Sequence, residues 1–474
     1  MEDILKKAID RANLLGSGYS DARVVIRKTE SITVKDGCVY PSYSEEMGLG
    51  IRVLKDGCWG FASSSRIEEA ENTVKKAIEI AKSTKLSKEK DISFEGYKPI
   101  IDRYETPFKI DPFSISVENK VGLLLQSDKL MGKNPKIKTK EGSISSFSEE
   151  KFFANTEGSF ICQKIVSCGG GITCNAVSNG EVQTRSYPNN FGGDFITGGY
   201  EFIEEMDFVS NAERIADEAI ELLKAEKCPH GKKTIILDKA QLALQIHESI
   251  GHPIELDRVL GTEAAYAGGS FLTIDKMNSF KYGSPIVNVF ADATIPKGLG
   301  TFGYDDEGIP AQRIPIIKNG IFVGYLTSRE TASIVGQRSN GTMRADGWCR
   351  IPLIRMTNIN LEPGEWKLED LIADTDDGLF FETNKCWSID NKRLNFQFGC
   401  EVAREIKGGK MGRIFKNPVY TGITPIFWNS CDAICNKENW HIYGLPNCGK
   451  GQPGQRMYVG HGVSPTRFRN IEVL

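Results

Sequence analysis

The chain has 474 residues, of which 59 are lysine or arginine and 62 are aspartate or glutamate, so its formal net charge is -3. This length predicts two or three domains rather than one core, and the nearly balanced charge offers no electrostatic basis for binding nucleic acid. No run reaches the ~18 consecutive apolar residues that a membrane-spanning helix needs, and the acidic, amphipathic start is unlike a signal peptide. We therefore expect a cytoplasmic protein that binds neither nucleic acid nor membranes, and whose twelve cysteines are reduced thiols.

The first 131 residues show alternating extended and helical patterns. Strands are expected at residues 21–28, 30–34 and 49–54, and helices at residues 67–81 and 117–131. Ser65 and Glu68 have the spacing of a capping box for the first of these helices. Residues 82–98 are highly charged and poor in large apolar side chains, which predicts an exposed connection.

A strand-rich segment follows and ends near residue 226. Turn signals at Asn155-Thr156-Glu157-Gly158 and Ser178-Asn179-Gly180 separate extended runs and predict an antiparallel meander. Residues 212–223 have the apolar period of a helix, which the turn-rich segment 227–231 ends. We predict an α+β fold with a mixed α/β N-terminal domain at residues 1–226 and a β-rich C-terminal domain at residues 227–474.

The most informative motif lies on a helix predicted near the start of this second domain, His247-Glu248-Ser249-Ile250-Gly251-His252. Two imidazoles and a carboxylate so close together are typical of a zinc hydrolase. The histidines are five residues apart, and at ~100° per residue a regular helix would point His252 about 140° away from His247. The helix must therefore distort or end between them. Gly251 is flexible and Pro253 disfavours helical backbone at His252, so both residues favour such a distortion.

The motif assigns roles to its residues but leaves the third metal ligand open. Glu248 suits the general base that takes a proton from water, although a solvated helix residue is the alternative. A third ligand is needed beside the two histidines, and spacing does not choose among Glu255, Asp257, Glu263, Asp292, Cys448 and His461. Zinc suits these side chains, while residue type alone also permits iron or manganese.

The segment His247-Glu248-x-x-Gly251-His252-x-x-Glu255-x-Asp257 resembles the signature of the TldD/PmbA metallopeptidases, in the TldD-like branch that keeps the metal motif. The resemblance extends over most of the chain, through Leu49-Gly50-Ile51-Arg52-Val53, Gly60-Phe61-Ala62-Ser63, Asn155-Thr156-Glu157-Gly158, Asp305-Asp306-Glu307-Gly308, Asn319-Gly320, Gly324-Tyr325, Arg355-Met356-Thr357-Asn358 and Cys448-Gly449-Lys450. His461 departs from it, because it stands in a Val-Gly-His-Gly-Val stretch where smaller residues are expected.

This resemblance implies a ligand set and an activity. It implies that His247, His252 and Cys448 bind Zn²⁺ and that Glu248 activates water. The implied activity is a cytoplasmic peptidase that hydrolyses unfolded or flexible peptides, with its site enclosed by a homodimer or by a heterodimer with a motif-lacking family member.

Two other functions remain as alternatives at this point. One is a metal amidase that acts on small amides, and the other is a noncatalytic scaffold or binding subunit of a peptidase assembly. Four charged residues outside the motif, Asp306, Glu307, Arg344 and Arg355, either bind substrate or form structural ion pairs.

Overall fold

The computed structural model of the protein describes residues 1–85 and 92–474. The connection expected at residues 82–98 therefore has its middle, residues 86–91, outside the described residues. Among the described helices, none combines the length and the apolar character that a membrane crossing would need. The twelve cysteines are free thiols, as predicted.

The first half of the chain forms one large sheet with helices packed against it. Its elements are α1 (Glu2–Leu14), β1 (Tyr19–Lys35), β2 (Cys38–Lys55), β3 (Cys58–Ser64), α2 (Ala70–Thr84), β4 (Ile101–Glu105), α3 (Val117–Met131), β5 (Ile137–Asn155), β6 (Phe160–Ser178), β7 (Glu181–Tyr187), β8 (Asp194–Thr197), α4 (Glu201–Met206) and α5 (Phe208–Leu222). The strand order is β3-β2-β1-β5-β6-β4, and β7 and β8 also pair with β6. Only β4 runs parallel to its neighbour within the described sheet.

Two local expectations in this half are wrong. The strands expected at 21–28 and 30–34 are one continuous strand, because Thr29 between them pairs with both neighbouring strands. The capping box is absent: a 3₁₀ turn at Ile67–Glu69 precedes α2, and no side chain caps either segment. The helix expected at 117–131 has those bounds in the structure.

The second half is dominated by strands. Its elements are β9 (Glu226–Lys227), β10 (Gly231–Leu237), α6 (Lys239–Ile246), α7 (Leu256–Val259), β11 (Val289–Asp292), β12 (Arg313–Lys318), β13 (Ile321–Phe322), β14 (Met343–Arg344), β15 (Leu353–Ile354), β16 (Ile359–Leu361), α8 (Leu368–Ala373), β17 (Asp377–Ile389), β18 (Asn395–Lys407), β19 (Lys410–Lys416), β20 (Val419–Ile423), α9 (Thr424–Asn429), β21 (Cys431–Ile434), β22 (His441–Lys450), β23 (Gln455–Val463) and β24 (Thr466–Val473). The main sheet closes on itself, because β17-β10-β24-β20-β18 form a ring in which β18 pairs back to β17. The predicted α+β fold with a β-rich C-terminal part is confirmed.

Helix α6 crosses the interior of this second half. Every residue from Ala240 to Ile246 is buried, and the helix packs against β16, β17, β22 and β23. Its two buried glutamines, Gln241 and Gln245, both hydrogen-bond to the hydroxyl of Tyr420, and a helix buried on all sides belongs to the interior of a protein. The residues that directly follow α6 are therefore delivered into the protein interior.

A buried ionic contact joins the two halves. The Glu401 carboxylate on β18 is fully buried; it accepts hydrogen bonds from the Ser186 N–H (2.8 Å) and hydroxyl (2.7 Å) and pairs with the Arg185 guanidinium on β7 at 3.0 Å. Burial raises the pKa of Glu401, and the Arg185 charge opposes that rise. Removing Arg185 would leave a buried carboxylate without its cation.

We expect Arg185→Met to lower the apparent free energy of unfolding by about 3–5 kcal/mol, the cost of breaking a buried ion pair. Urea denaturation followed by fluorescence and circular dichroism would measure it. Arg413→Met is the matched control, because Arg413 is exposed and its pair with Glu226 should contribute less than about 1 kcal/mol. Equal effects of the two substitutions would contradict a stabilising role for the buried pair.

Candidate metal centre and active site

The two motif histidines face each other because the helix widens between them. Helix α6 continues into a π-helical turn at His247–Gly251, in which the His252 backbone N–H donates to the His247 carbonyl oxygen five residues earlier. The imidazole centroids lie 4.9 Å apart, with the rings at 88°. The predicted distortion is therefore present, and it corrects the 140° divergence of a regular helix.

The cause of the distortion differs from the sequence-based expectation. His252 keeps right-handed helical backbone (φ -66°, ψ -39°) in spite of Pro253, and the chain leaves helical geometry only at Glu255. Gly251 also has ordinary helical backbone, so flexibility is not its role. A Cβ atom at Gly251 would collide with the Met356 sulfur, and glycine is therefore required for close packing.

Side chains from distant segments hold the widened turn. The Ser249 hydroxyl donates to the Gln245 carbonyl oxygen at 2.5 Å and accepts from the Trp428 indole N–H at 3.0 Å. The Tyr282 hydroxyl donates to the Ser249 carbonyl oxygen. These bonds satisfy buried polar groups that the irregular turn would otherwise leave unpaired.

Cys448 completes a cluster of three potential metal ligands. Among the described residues, the donor atoms of His247, His252 and Cys448 all lie within 4.8 Å of one another. The Cys448 sulfur, on β22, is 3.9 Å from His252 Nε2, and the three residues are at most 5% exposed. Two imidazoles and a thiol at such distances need only a small contraction to reach tetrahedral zinc geometry.

Each histidine of the cluster is oriented through its Nδ1 atom. His252 Nδ1 lies 3.0 Å from Glu255 Oε2. His247 Nδ1 lies 2.8 Å from His461 Nε2, and His461 Nδ1 lies 3.3 Å from the Ile359 carbonyl oxygen. Since a carbonyl oxygen only accepts, His461 carries its proton on Nδ1 and accepts from His247 through Nε2. The Nε2 lone pairs of His247 and His252 are thereby available to an ion.

The remaining candidates for the third ligand lie outside this cluster. Lys450 Nζ pairs with Asp257 at 2.7 Å, Glu255 at 3.4 Å and Glu263 at 3.6 Å. Asp292 accepts hydrogen bonds from the backbone and hydroxyl of Thr294. The buried lysine therefore balances the carboxylates beside His252.

The environment favours the protonation states that bind zinc. Burial lowers the pKa of His247 and of His252, and the positive charge of Arg393 lowers both further, which favours the neutral imidazoles. Burial alone would raise the pKa of the Cys448 thiol, but His252 and Arg355 outweigh it and the net pKa is below the ordinary value. Neutral imidazole nitrogens and a thiol inclined to ionise are a donor set that fits zinc.

Glu248 is buried beside the cluster, so the alternative of a solvated helix residue is wrong. Only 5% of Glu248 is exposed, and its carboxylate accepts a hydrogen bond from Arg393, in the turn between β17 and β18. Sequence reasoning missed Arg393 because it lies 145 residues from Glu248 and no motif surrounds it. This arginine therefore fixes the position of the Glu248 carboxylate next to the cluster.

The four charged residues for which the sequence allowed either substrate binding or structural ion pairing fall into two groups. Asp306 pairs with Lys151 at 2.8 Å and Glu307 pairs with Arg52 at 3.0 Å, so these two form structural ion pairs. Arg344 and Arg355 instead donate to backbone carbonyl oxygens. Neither arginine has an ion pair in the described part of the chain.

Known proteins resemble this chain along its whole length. Models of PmbA/TldA metallopeptidase domain 1, central domain and C-terminal domain match residues 20–81, 110–225 and 230–474. A metalloprotease of Methanocaldococcus jannaschii is 33% identical over 448 residues, 94% of each chain. A protein of Saccharolobus solfataricus named zinc metalloprotease TldD homolog is 22% identical over 479 residues, 98% of this chain and 99% of the relative.

The fold is also that of a solved relative. The crystal structure of TldE from Thermococcus kodakarensis superposes with a TM-score of 0.75 at 16% identity and covers 99% of both chains. Three matching domain models, which together span most of the sequence, and a relative above 30% identity agree on one family. The chain belongs to the TldD/PmbA metallopeptidase family.

Proposed function

We propose that this protein is a zinc-dependent peptidase that hydrolyses peptide bonds of unfolded or flexible peptides. The observation that carries the proposal is the buried cluster of His247, His252 and Cys448 with the Glu248 carboxylate beside it. The names of the curated relatives, metalloprotease and zinc metalloprotease, support the same class of enzyme.

In the proposed reaction, some residues bind the metal ion and others transfer protons. His247, His252 and Cys448 would hold the ion, which when bound supplies a Lewis acid that polarises the scissile carbonyl and acidifies water. Glu248 accepts a proton from the attacking water and returns it to the leaving amine. Arg393 orients the Glu248 carboxylate during both transfers, and Glu255 and His461 fix the two imidazoles.

Elemental analysis of protein purified without chelator tests the metal. We expect about one zinc per wild-type chain and little or none in His252→Ala and Cys448→Ser, because two remaining donors bind zinc weakly. Circular dichroism checks that both variants fold. A folded wild-type chain that takes up no zinc on addition would remove the hydrolase assignment and favour a noncatalytic scaffold.

Glu248→Gln tests the general base. We expect a loss of about 10²–10⁴-fold in cleavage rate with zinc content unchanged, because glutamine keeps the shape of the side chain but accepts no proton. Mass spectrometry of a digested flexible polypeptide gives rate and cut sites. The matched control is Glu365→Gln, at an exposed position, which should cleave at the wild-type rate. Intact polypeptide with hydrolysis of small amides would identify a metal amidase instead.

His461 is expected to act through His247. Removal of such a support for a ligating imidazole typically costs 10–100-fold in metal affinity, and we expect that loss in His461→Leu. His461→Gln should retain most of the affinity, because its amide oxygen can accept the Nδ1 proton of His247. Competition with a zinc chelator measures both variants without reference to activity. If the leucine variant binds zinc as tightly as the wild type, His461 contributes only to packing.

We also propose that the chain works as a dimer, either with itself or with a motif-lacking family member. The family resemblance supports this assembly. Light scattering after size-exclusion chromatography, with and without such a partner, measures it, and full peptidase activity from a monomer would exclude it.

A further inference from the structure

A cavity of about 340 Å³ lies between the two halves of the chain. Strands β5 and β6 form one wall, and residues 299–306, 344–346, 446–447 and 456–458 form the other. Its apolar surface comes from Phe147, Ile165, Leu299, Phe302, Met457 and Tyr458. The volume is at the low end of pockets that bind small molecules, so it suits a short, partly apolar group.

Most charges that line this cavity are already paired. Arg27 pairs with Glu149 at 2.7 Å and with Asp346 at 3.0 Å. Lys151 pairs with Asp306 at 2.8 Å. Three lining carboxylates therefore have a cationic partner within the protein, and the fourth, Asp305, accepts backbone hydrogen bonds. Of the two other lining cations, Arg456 is exposed and Arg344 is half-buried.

Arg344 is the exception among the half-buried charges of the wall. Its Nη1 donates to the carbonyl oxygens of Met356 (2.9 Å) and Tyr458 (2.7 Å), and within the described residues its guanidinium forms no ion pair. Burial and the nearby Arg355 lower the pKa of Arg344 to about 10, and the group still carries its charge at neutral pH. A charged guanidinium that has no ion pair of its own, in a partly apolar cavity, is a suitable partner for an anion.

The cavity is connected to the candidate metal centre by adjacent residues. Pro446 and Asn447 directly precede Cys448, and Met457 is its partner across the β22–β23 hairpin. Arg344 also contacts the carbonyl oxygen of Met356, whose sulfur packs on Gly251 between the two histidines. A peptide bound at the cluster could thus place one end in the cavity.

We propose that Arg344 binds a carboxylate of the peptide substrate, above all the C-terminal carboxylate, with the last side chain against the apolar wall. This inference rests on the proposed peptidase function. A site of this size that recognises a chain end would direct cleavage near the C-terminus and release short fragments.

Paired peptides test the proposal by binding and by cleavage. One labelled peptide is prepared with a free C-terminal carboxylate and as its C-terminal amide, and binding to zinc-loaded Glu248→Gln protein is followed by fluorescence anisotropy. We expect the acid to bind at least about tenfold more tightly, the strength of one good hydrogen bond to a charged group. With wild-type protein, mass spectrometry should show first cuts near the C-terminus of the acid.

Three variants locate the effect. Arg344→Gln should abolish the preference for the acid, because the amide keeps a donor for the wall carbonyls but no charge, and Arg344→Lys should retain part of it. Arg456→Gln is the matched control, since Arg456 lines the same cavity from an exposed position where salt and water screen its charge, and it should keep the preference.

The outcomes separate this inference from the proposed function. Equal binding and equal cut sites for acid and amide, with cleavage intact, would overturn the carboxylate site and leave the peptidase standing. A preference for the acid in binding without any cleavage would support the site and count against the peptidase. A third comparison uses amidated peptides that carry either aspartate or glutamate, or the matching asparagine or glutamine. Tighter binding of the acidic peptides, with no effect of the C-terminal carboxylate, would show that the site binds a side-chain carboxylate and would overturn recognition of the chain end.

Discussion

The candidate site depends on one widened turn of helix. An α-helical turn would send His247 and His252 to different sides, whereas the i→i+5 hydrogen bond between them returns the second imidazole to the first. Such a turn is uncommon on its own, and here the surrounding core enforces it. Trp428 and Tyr282 bind Ser249 from two different segments, and the absence of a side chain at Gly251 lets Met356 pack against the turn. The geometry of the ligands is therefore a property of the whole C-terminal core.

Burying this many charges near one point is costly, and the structure offsets the cost in two ways. Glu248 meets Arg393, and Lys450 is surrounded by Glu255, Asp257 and Glu263. Such networks repay desolvation only when each member is paired and hydrogen-bonded. Arg344 on the cavity wall donates to backbone carbonyl oxygens and forms no ion pair among the described residues, which agrees with the role in substrate binding that we propose for it.

The features that could be predicted from the sequence are those that depend on residues close together along the chain. Helical periods located α3 and α5, and the five-residue spacing of the histidines was enough to require a distorted helix. It did not identify the agent of the distortion, because the collision at Gly251 involves Met356, more than a hundred residues away. For the same reason Arg393 and the partnership of His247 with His461 carried no local signal. Cys448 stood out among six possible ligands only through the family resemblance.

The β22–β23 hairpin links the cluster, its support and the cavity in a single element. It carries Cys448 and Lys450 on one strand and Met457 and His461 on the other. Its pairing shifts between Leu445 and Cys448, so that Cys448, rather than Asn447, lies opposite Met457. Pro446 stands at this irregularity, where the missing N–H costs no ladder hydrogen bond.

This single extra residue decides which side chain meets the histidines. Because side chains alternate along a strand, a hairpin without it would place Asn447 where the thiol of Cys448 now lies. The same bulge exposes Pro446 and Asn447 to the cavity. The pairing register of the β22–β23 hairpin therefore positions both the metal-ligand cluster and the cavity wall. Any change in the hairpin that moves Cys448 also changes the shape of the wall that faces Arg344.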